Sequence, residues 1–525
     1  MEPTAAPTPD ATGRGDDAVD CTPSARRWTL IAAIIGSGMA FVDGTIVNVA
    51  LPAIQRAMRA TTADAQWVME AYALLLSALL LVGGVLGDRF GRRRVFAIGA
   101  VVFTLASLAC AAAPTIGALI GARALQGLGA ALLVPGSLSL ITSAYPKKLR
   151  GAAIGTWSAF SGITAAVGPV LGGFLVEHVS WHWAFLINLP LGIALVVICR
   201  THVPESRGAN GGRIDAIGAL LATVGLAGVV YALIEAPLRG WHAADVVAAA
   251  VVGAGALVAF VLVERRIAAP MLPLGLFRDR DFAGANLLTL LLYAALGGSL
   301  FFVPLNLIQV QGYGATEAGA SLLPFIVIMF VLSRWTGRLV DLVGARLPLI
   351  VGPAIAAAGF ALYAVPGVGG SYWATFFPAA AVLGLGMSIT IAPLTTTVMN
   401  ALDPSLAGTA SGVNNAVSRV AGLLAIAAFG VVLTHGFDVS LQAGLARMNL
   451  PRDAVEAIVA QRAKLAGIEL PPGAEAAKRV VGEAFVAGFR QVMWLSAGLA
   501  ALSALAAALT IKGKPKNRPP RGKGA

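Results

Sequence analysis

The chain has 525 residues, of which 57% are hydrophobic and 12% charged, whereas a soluble domain carries about 25% charged residues. That composition excludes an ordinary water-soluble fold, because there is too little polar surface to cover it and lipid must replace water over most of the exterior. The formal net charge is +12, from 38 Lys and Arg against 26 Asp and Glu; the basic residues fall in short clusters between apolar runs, which argues against a nucleic-acid-binding face.

From the N-terminus, residues 1–27 form a tail rich in Pro, Thr, Ala and Asp that is expected to be disordered. Fourteen apolar runs follow at 28–50, 66–86, 94–112, 115–144, 151–176, 183–199, 214–236, 244–263, 282–308, 317–335, 347–365, 372–399, 409–434 and 485–511. Each is long enough to cross a bilayer as a helix, which takes about 20 residues. The fourth and twelfth contain Pro135 and Pro393, which membrane helices tolerate where neighbours re-satisfy the freed carbonyl. No short cleavable leader precedes the first run, so that run is expected to target the chain. The outer loop 435–484 carries apolar residues at Val455, Ile458, Val459 and Ala463, a helical spacing that predicts a short amphipathic surface helix.

Of the 38 basic residues, 25 lie in flanks and loops that share one side if the N-terminus is cytoplasmic, including Arg26–Arg27, Arg89–Arg94, Lys147–Arg150 and Lys512–Lys523. The short loops of the other side hold only Arg56, Arg59 and Arg239. This positive-inside asymmetry predicts both termini in the cytoplasm and a multi-pass protein of the cytoplasmic membrane. Cys21, Cys110 and Cys199 are odd in number and scattered, so neither a disulfide framework nor a metal site is expected.

One pattern, Gly-x-Leu-x-Asp-x-x-Gly-x-Arg, occurs twice: Gly84, Leu86, Asp88, Gly91 and Arg93, then Gly337, Leu339, Asp341, Gly344 and Arg346, offset by 253 positions. Each copy sits in a turn between two apolar runs. Repetition at one offset points to two related halves. The expected architecture is all-α: an N-terminal six-helix bundle at 28–200, a linker with two extra membrane helices at 201–281, a C-terminal six-helix bundle at 282–511, and a basic cytoplasmic tail at 512–525. The second copy has Leu342 where the first has Arg89, so a gate built from this motif should lean on the first.

Four charged residues lie inside apolar runs: Asp43, Glu70, Arg123 and Arg419. A charge at the bilayer centre costs about 2.5–3.5 kcal/mol even on insertion scales, so each needs a reason. An ion pair or polar clamp between helices is one. Handling of protons and substrate is the other, because a cationic substrate competing for a buried carboxylate would displace its proton. Arg123 and Gln126 stand among small residues at 121, 122, 124, 127 and 129–131, which let a second helix approach closely. The fifth run concentrates Gly162, Gly168, Pro169, Gly172 and Gly173, a set that weakens a helix and permits tight packing or a kink.

These residues resemble the major facilitator superfamily, and within it the fourteen-helix drug–proton antiporters. Gly84 to Arg93 matches the family's motif A, Arg123, Gln126 and Gly127 its motif B, and Gly168, Pro169, Gly172 and Gly173 its motif C. Asp43, Thr45, Asn48 and Pro52 match the first helix of these antiporters, and Trp181, Trp183 and Asn188 the start of the sixth. Two departures stand out: Thr164 occupies a usual glycine position of motif C, and His182 a usual arginine position.

The resemblance implies proton-coupled efflux of hydrophobic, cationic drug-like compounds by alternating access, not an enzyme, with a proton gradient in place of any cofactor. Asp43, Glu70, Arg123 and Gln126 are then the candidates for the proton-coupled cavity. Asp88, Arg89 and Arg93, with Gly84, Gly91, Asp341 and Arg346, are the candidates for a cytoplasmic gate. The alternative is dedicated export of one endogenous metabolite or antibiotic by the same machinery. Expected partners are a small-molecule substrate, protons and the lipid bilayer, with no nucleic acid; a monomer is expected, and a periplasmic adaptor stays open. Phe41, Trp67, Tyr72, Tyr293, Phe301 and Phe302 favour a hydrophobic ligand. The two linker helices are expected to stay peripheral.

Overall fold

A computed structural model describes residues 21–208, 215–267, 270–336, 343–403 and 406–512, and no strand occurs among them. The first seven helices are α1 (Pro23–Met58), α2 (Thr62–Phe90), α3 (Arg92–Ala111), α4 (Ile116–Ala144), α5 (Lys147–His178), α6 (Trp183–Leu186) and α7 (Asn188–Thr201). Next come α8 (Ala216–Arg239) and α9 (Ala244–Glu264), followed by α10 (Arg280–Leu305), α11 (Ala315–Ala320), α12 (Leu323–Thr336) and α13 (Arg346–Tyr363). The chain continues through α14 (Tyr372–Ala401), α15 (Ala407–Leu445), α16 (Arg452–Ala460) and α17 (Ala477–Thr510). Among the described residues, thirteen spans are long and apolar enough to cross a membrane. The fifth expected span falls on a further helix, α5, of 32 residues, some of whose side chains lie outside the described set.

Local chemistry sets the helix ends. Thr61 and Asp64 form a capping box, Asp64 N–H donating to Thr61 Oγ1 (3.1 Å) while Asp64 Oδ2 accepts from Thr61 N–H (2.8 Å). Gly91 ends α2 at φ +110°, a conformation that suits glycine, and the chain turns straight into α3.

α1–α7 pack on one another, chiefly α2 and α3 on α4 and α1 on α5. α10–α17 form a second group, with α13 on α14 and both α10 and α15 on α17. Glycines set the closest approaches. A Cβ on Gly127 would strike the Tyr72 carbonyl, and one on Gly129 would lie 2.6 Å from the Phe103 nitrogen. α8 and α9 pair with each other, and α8 also lies against α2 and α15, touching both groups. α9 turns Val251, Val252 and Val258 outward. The alternation of helices puts Pro23 and Thr510 on one face, the terminal face. There Arg280 donates to the Leu509 carbonyl (2.5 Å), and the Tyr145 hydroxyl to that of Arg26 (3.0 Å).

Two boundaries differ from expectation. Residues 23–27 belong to α1, not to a disordered tail. The outer loop is shorter than 435–484, because α15 runs on to Leu445 and α17 already begins at Ala477. Hydrophobicity marks where a helix leaves lipid, whereas the backbone hydrogen bonds carry it further. The extensions hold because Phe437, Leu441, Val481 and Phe485 are buried, and a Cβ on Gly436 would lie 2.8 Å from Gly488 Cα. The predicted surface helix falls at Arg452–Ala460, with Ile458 buried and Arg452 and Glu456 paired in solvent.

Candidate functional site

Four helices converge on Asp43, which is fully buried. Arg123 from α4 meets it at 2.5 Å and is itself fully buried. Gln126, one turn along α4, donates to Asp43 Oδ1 (2.7 Å), and Asn188 at the start of α7 donates to the same oxygen (3.1 Å). Ser107 on α3 accepts from both Gln126 and Asn188 at 2.9 Å. Arg123 also donates to the Val68 carbonyl (2.9 Å) and to Gln126 Oε1 (2.6 Å), and its guanidinium lies 4.4 Å from the Tyr72 ring centroid. A buried charge pair repays its desolvation only with good geometry and further hydrogen bonds. Here both oxygens of Asp43 are satisfied, by donors from two other helices.

Glu70, on α2 with Gln66 one turn before it, is also fully buried, yet neither carboxyl oxygen has a hydrogen-bond partner among the described residues. Gln66 donates to the Ile426 carbonyl of α15 (3.0 Å), so the shared helix face looks towards the second group of helices.

The two groups are stitched together in the half remote from the terminal face. Asn48 donates to the Leu300 carbonyl (3.1 Å), Gln309 to Gln55 (2.9 Å), and the Thr316 N–H to Glu177 (2.9 Å). The glycine-rich part of α5 serves both sides of this seam. A Cβ on Gly168 would strike Thr45 Oγ1, and one on Gly172 would lie 2.9 Å from Ile46 Cα, both on α1. A Cβ on Gly173 would strike the Ala315 carbonyl, and Gly319 of α11 meets the Pro169 carbonyl just as tightly. Gly168, Pro169, Gly172 and Gly173 thus let α5 lie between α1 and α11 with almost no gap.

Towards the terminal face the groups part around a polar cavity of about 380 Å³, lined by Phe41 from α1, Tyr293 from α10, Thr395 and Met399 from α14, and Asn414 and Arg419 from α15. Asp43, Glu70, Arg123 and Gln126, expected on its wall, do not line it. The first, third and fourth are drawn into their own bundle by their mutual hydrogen bonds; Glu70 faces the α15 contact. Of the aromatics, Phe41 and Tyr293 reach the cavity, Phe301 and Phe302 are buried, and Trp67 donates to Glu235 (3.0 Å). A second, apolar cavity of about 420 Å³ takes Leu226 of α8 and Leu257 and Phe260 of α9 together with α2, α10 and α15.

On the terminal face, Asp88 pairs with Arg92 (2.8 Å), not with Arg89 or Arg93. Arg89 lies over the neighbouring Phe90 ring and Arg93 turns to Glu205 (3.5 Å). The reason is Glu205, in the link after α7: its carboxylate accepts from the N–H groups of Arg93 (3.0 Å) and Arg94 (3.2 Å) and so caps α3. A Cβ on Gly84 would lie 3.7 Å from Pro135 Cβ in the α2–α4 contact, and one on Gly91 would lie 2.8 Å from the Glu205 carboxyl carbon. Of the second copy, Gly337, Leu339 and Asp341 lie outside the described residues; Gly344 has φ +78° and Arg346 donates to the Ala508 carbonyl (2.7 Å). Ser107 and Glu205 carried no sequence signal: a serine in an apolar helix and an acid in a basic link both look ordinary.

Two groups of membrane-length helices, sealed along one half and parted by a polar cavity along the other, define a polytopic membrane transporter. The chain matches the Major Facilitator Superfamily over residues 33–426, and it belongs to that superfamily. It is 36% identical over 420 residues to the multidrug resistance protein Stp of Mycobacterium tuberculosis, covering 80% of this chain and 78% of the relative. It is 33% identical to the tetracenomycin C resistance and export protein of Streptomyces glaucescens over 94% of both chains. It is 38% identical to a puromycin resistance protein of Streptomyces alboniger over 78% of this chain and 83% of the relative. A solved bacterial homologue of the human lysosomal transporter Spinster shares the fold, with a TM-score of 0.65 at 16% identity over 93% of this chain and 97% of that one.

Proposed function

We propose that the protein exports hydrophobic, drug-like compounds across the cytoplasmic membrane in exchange for protons, by alternating access of the cavity between its bundles. The observation that carries this reading is the seam: the bundles meet through Gly173, Gly319 and Gln55–Gln309 on one side and part around the 380 Å³ cavity on the other. Such an arrangement is one state of a rocking cycle. The basic clusters of the terminal face support placing that face in the cytoplasm, with both termini, so that the cavity is loaded from inside. In this state Asp88 pairs within its own bundle; its clamp onto the other bundle, with Arg89 and Arg93, belongs to the opposite state. Three relatives named for resistance support the outward direction.

For the proton, Asp43 and Glu70 are the acids with no exposed surface among the described residues, with Arg123 and Gln126 bound to the first. Glu70 is the better carrier, because a buried carboxyl with no donor and no cation has nothing but a proton to offset its desolvation. No cofactor beyond the proton gradient enters the cycle, and the working unit is a monomer in the bilayer. The names of the relatives divide between multidrug and single-compound resistance, which favours keeping dedicated export of one compound as the second reading.

Proteoliposomes with an imposed pH gradient test this. A lipophilic dye should accumulate only while the gradient lasts, and accumulation indifferent to the gradient would end the antiport claim.

A further inference from the structure

Among the described residues, the polar cavity is lined by one charged side chain, a cation, and no counter-ion faces it. Arg419 lines it from α15 and, among the described residues, makes no ion pair and no hydrogen bond. Arg123, the other arginine at membrane depth, is matched by Asp43. A guanidinium held between membrane helices without a partner is costly, and an anion beside it offsets that cost.

The rest of the wall fits such an anion. Ser411, Asn415 and Ser418 share a face of α15 with Arg419; Asn415 already donates to the Ser411 carbonyl (3.2 Å) and Ser418 to that of Asn415 (2.8 Å), and among the described residues no Asp or Glu lines the cavity. Asn414 is spent on Asn286 (3.2 Å) and Thr289 (2.7 Å), so it serves the wall and not a ligand. Phe41, Tyr293, Val398 and Met399 supply an apolar side. The acid expected to receive a cation, Asp43, is off the wall and already saturated by Arg123, Gln126 and Asn188.

We infer that this cavity takes an amphipathic organic anion, whose ionised carboxylate or phenolate pairs with Arg419 while its aromatic or aliphatic body lies against Phe41, Tyr293, Val398 and Met399. This rests on the cavity being the one that transport uses. It replaces the cationic ligand expected from the sequence.

Two dyes sharing one ring system make the test: fluorescein, an anion, and rhodamine 6G, a cation. Each is titrated against the full chain in phosphatidylcholine nanodiscs and followed by anisotropy. Fluorescein should bind the wild type more tightly. Arg419→Gln should reduce the fluorescein-over-rhodamine preference by about tenfold or more, the factor carried by one hydrogen bond to a charged group, and Arg419→Lys should fall between. Tighter rhodamine 6G binding by the wild type overturns the inference without any variant. So does an unchanged preference in Arg419→Gln, or displacement of fluorescein by phosphatidylglycerol added to the discs, which would give the site to a lipid phosphate. The export reading fails separately: Arg419-dependent fluorescein binding with no gradient-driven transport of either dye would sink export and keep the anion site. Gradient-driven rhodamine 6G transport that ignores Arg419 would do the reverse.

Discussion

Asp43 and Glu70 are both wholly buried carboxyls in the same bundle, on α1 and α2. Around Asp43 stand an arginine at 2.5 Å, a glutamine at 2.7 Å and an asparagine at 3.1 Å; around Glu70 no donor stands among the described residues. The difference teaches how a membrane bundle can use a buried acid in two ways. Supplied with a cation and donors from other helices, the acid becomes a joint that holds those helices in register. Left without them among the described residues, the acid has no fixed charge to hold its own, which is why it is the proton carrier in the proposed cycle.

That contrast can be broken by substitution. Arg123→Leu should have the largest effect: it leaves Asp43 buried without its cation, and losing one partner of a buried pair costs about 3–5 kcal/mol. Thermal unfolding of the purified protein in detergent should show a large fall in Tm; an unchanged Tm would make the pair dispensable. Asn188→Leu removes one neutral donor from the same cluster. Polar contacts between membrane helices average about 0.6 kcal/mol and reach about 1.7 kcal/mol, so its fall in Tm should be smaller but measurable. Glu70→Gln should have the smallest effect on stability, because it removes a charge that nothing compensates. The same variant should lose gradient-driven dye accumulation in proteoliposomes. Full coupling in Glu70→Gln would move the proton to Asp43, and a large loss of Tm would mean that Glu70 has a structural partner.

The spans were legible because each depends on a local property, about 20 apolar residues in sequence. The repeated turn was legible for the same reason: its spacing is short, and Gly91 and Gly344 fill positive-φ positions in both copies. The pairings were not. Asp43 and Arg123 lie 80 residues apart, and nothing in either helix says which faces meet. Asp88 illustrates the smaller version of that gap. The motif places three arginines within reach, and the choice of Arg92 follows from Glu205, which draws Arg93 away from a separate segment of chain.

The sequence by itself determined that this is a polytopic membrane protein of two related helical halves, because composition, run length and motif spacing are properties of neighbouring residues. Only the tertiary structure decided which of these charges are paired and which have no partner among the described residues. Arg123 and Arg419 look alike in the sequence, each a lone arginine in an apolar helix. One packs where an aspartate faces it and the other opens into a cavity where, among the described residues, none does, and that depends on how helices distant in the chain turn their faces towards one another.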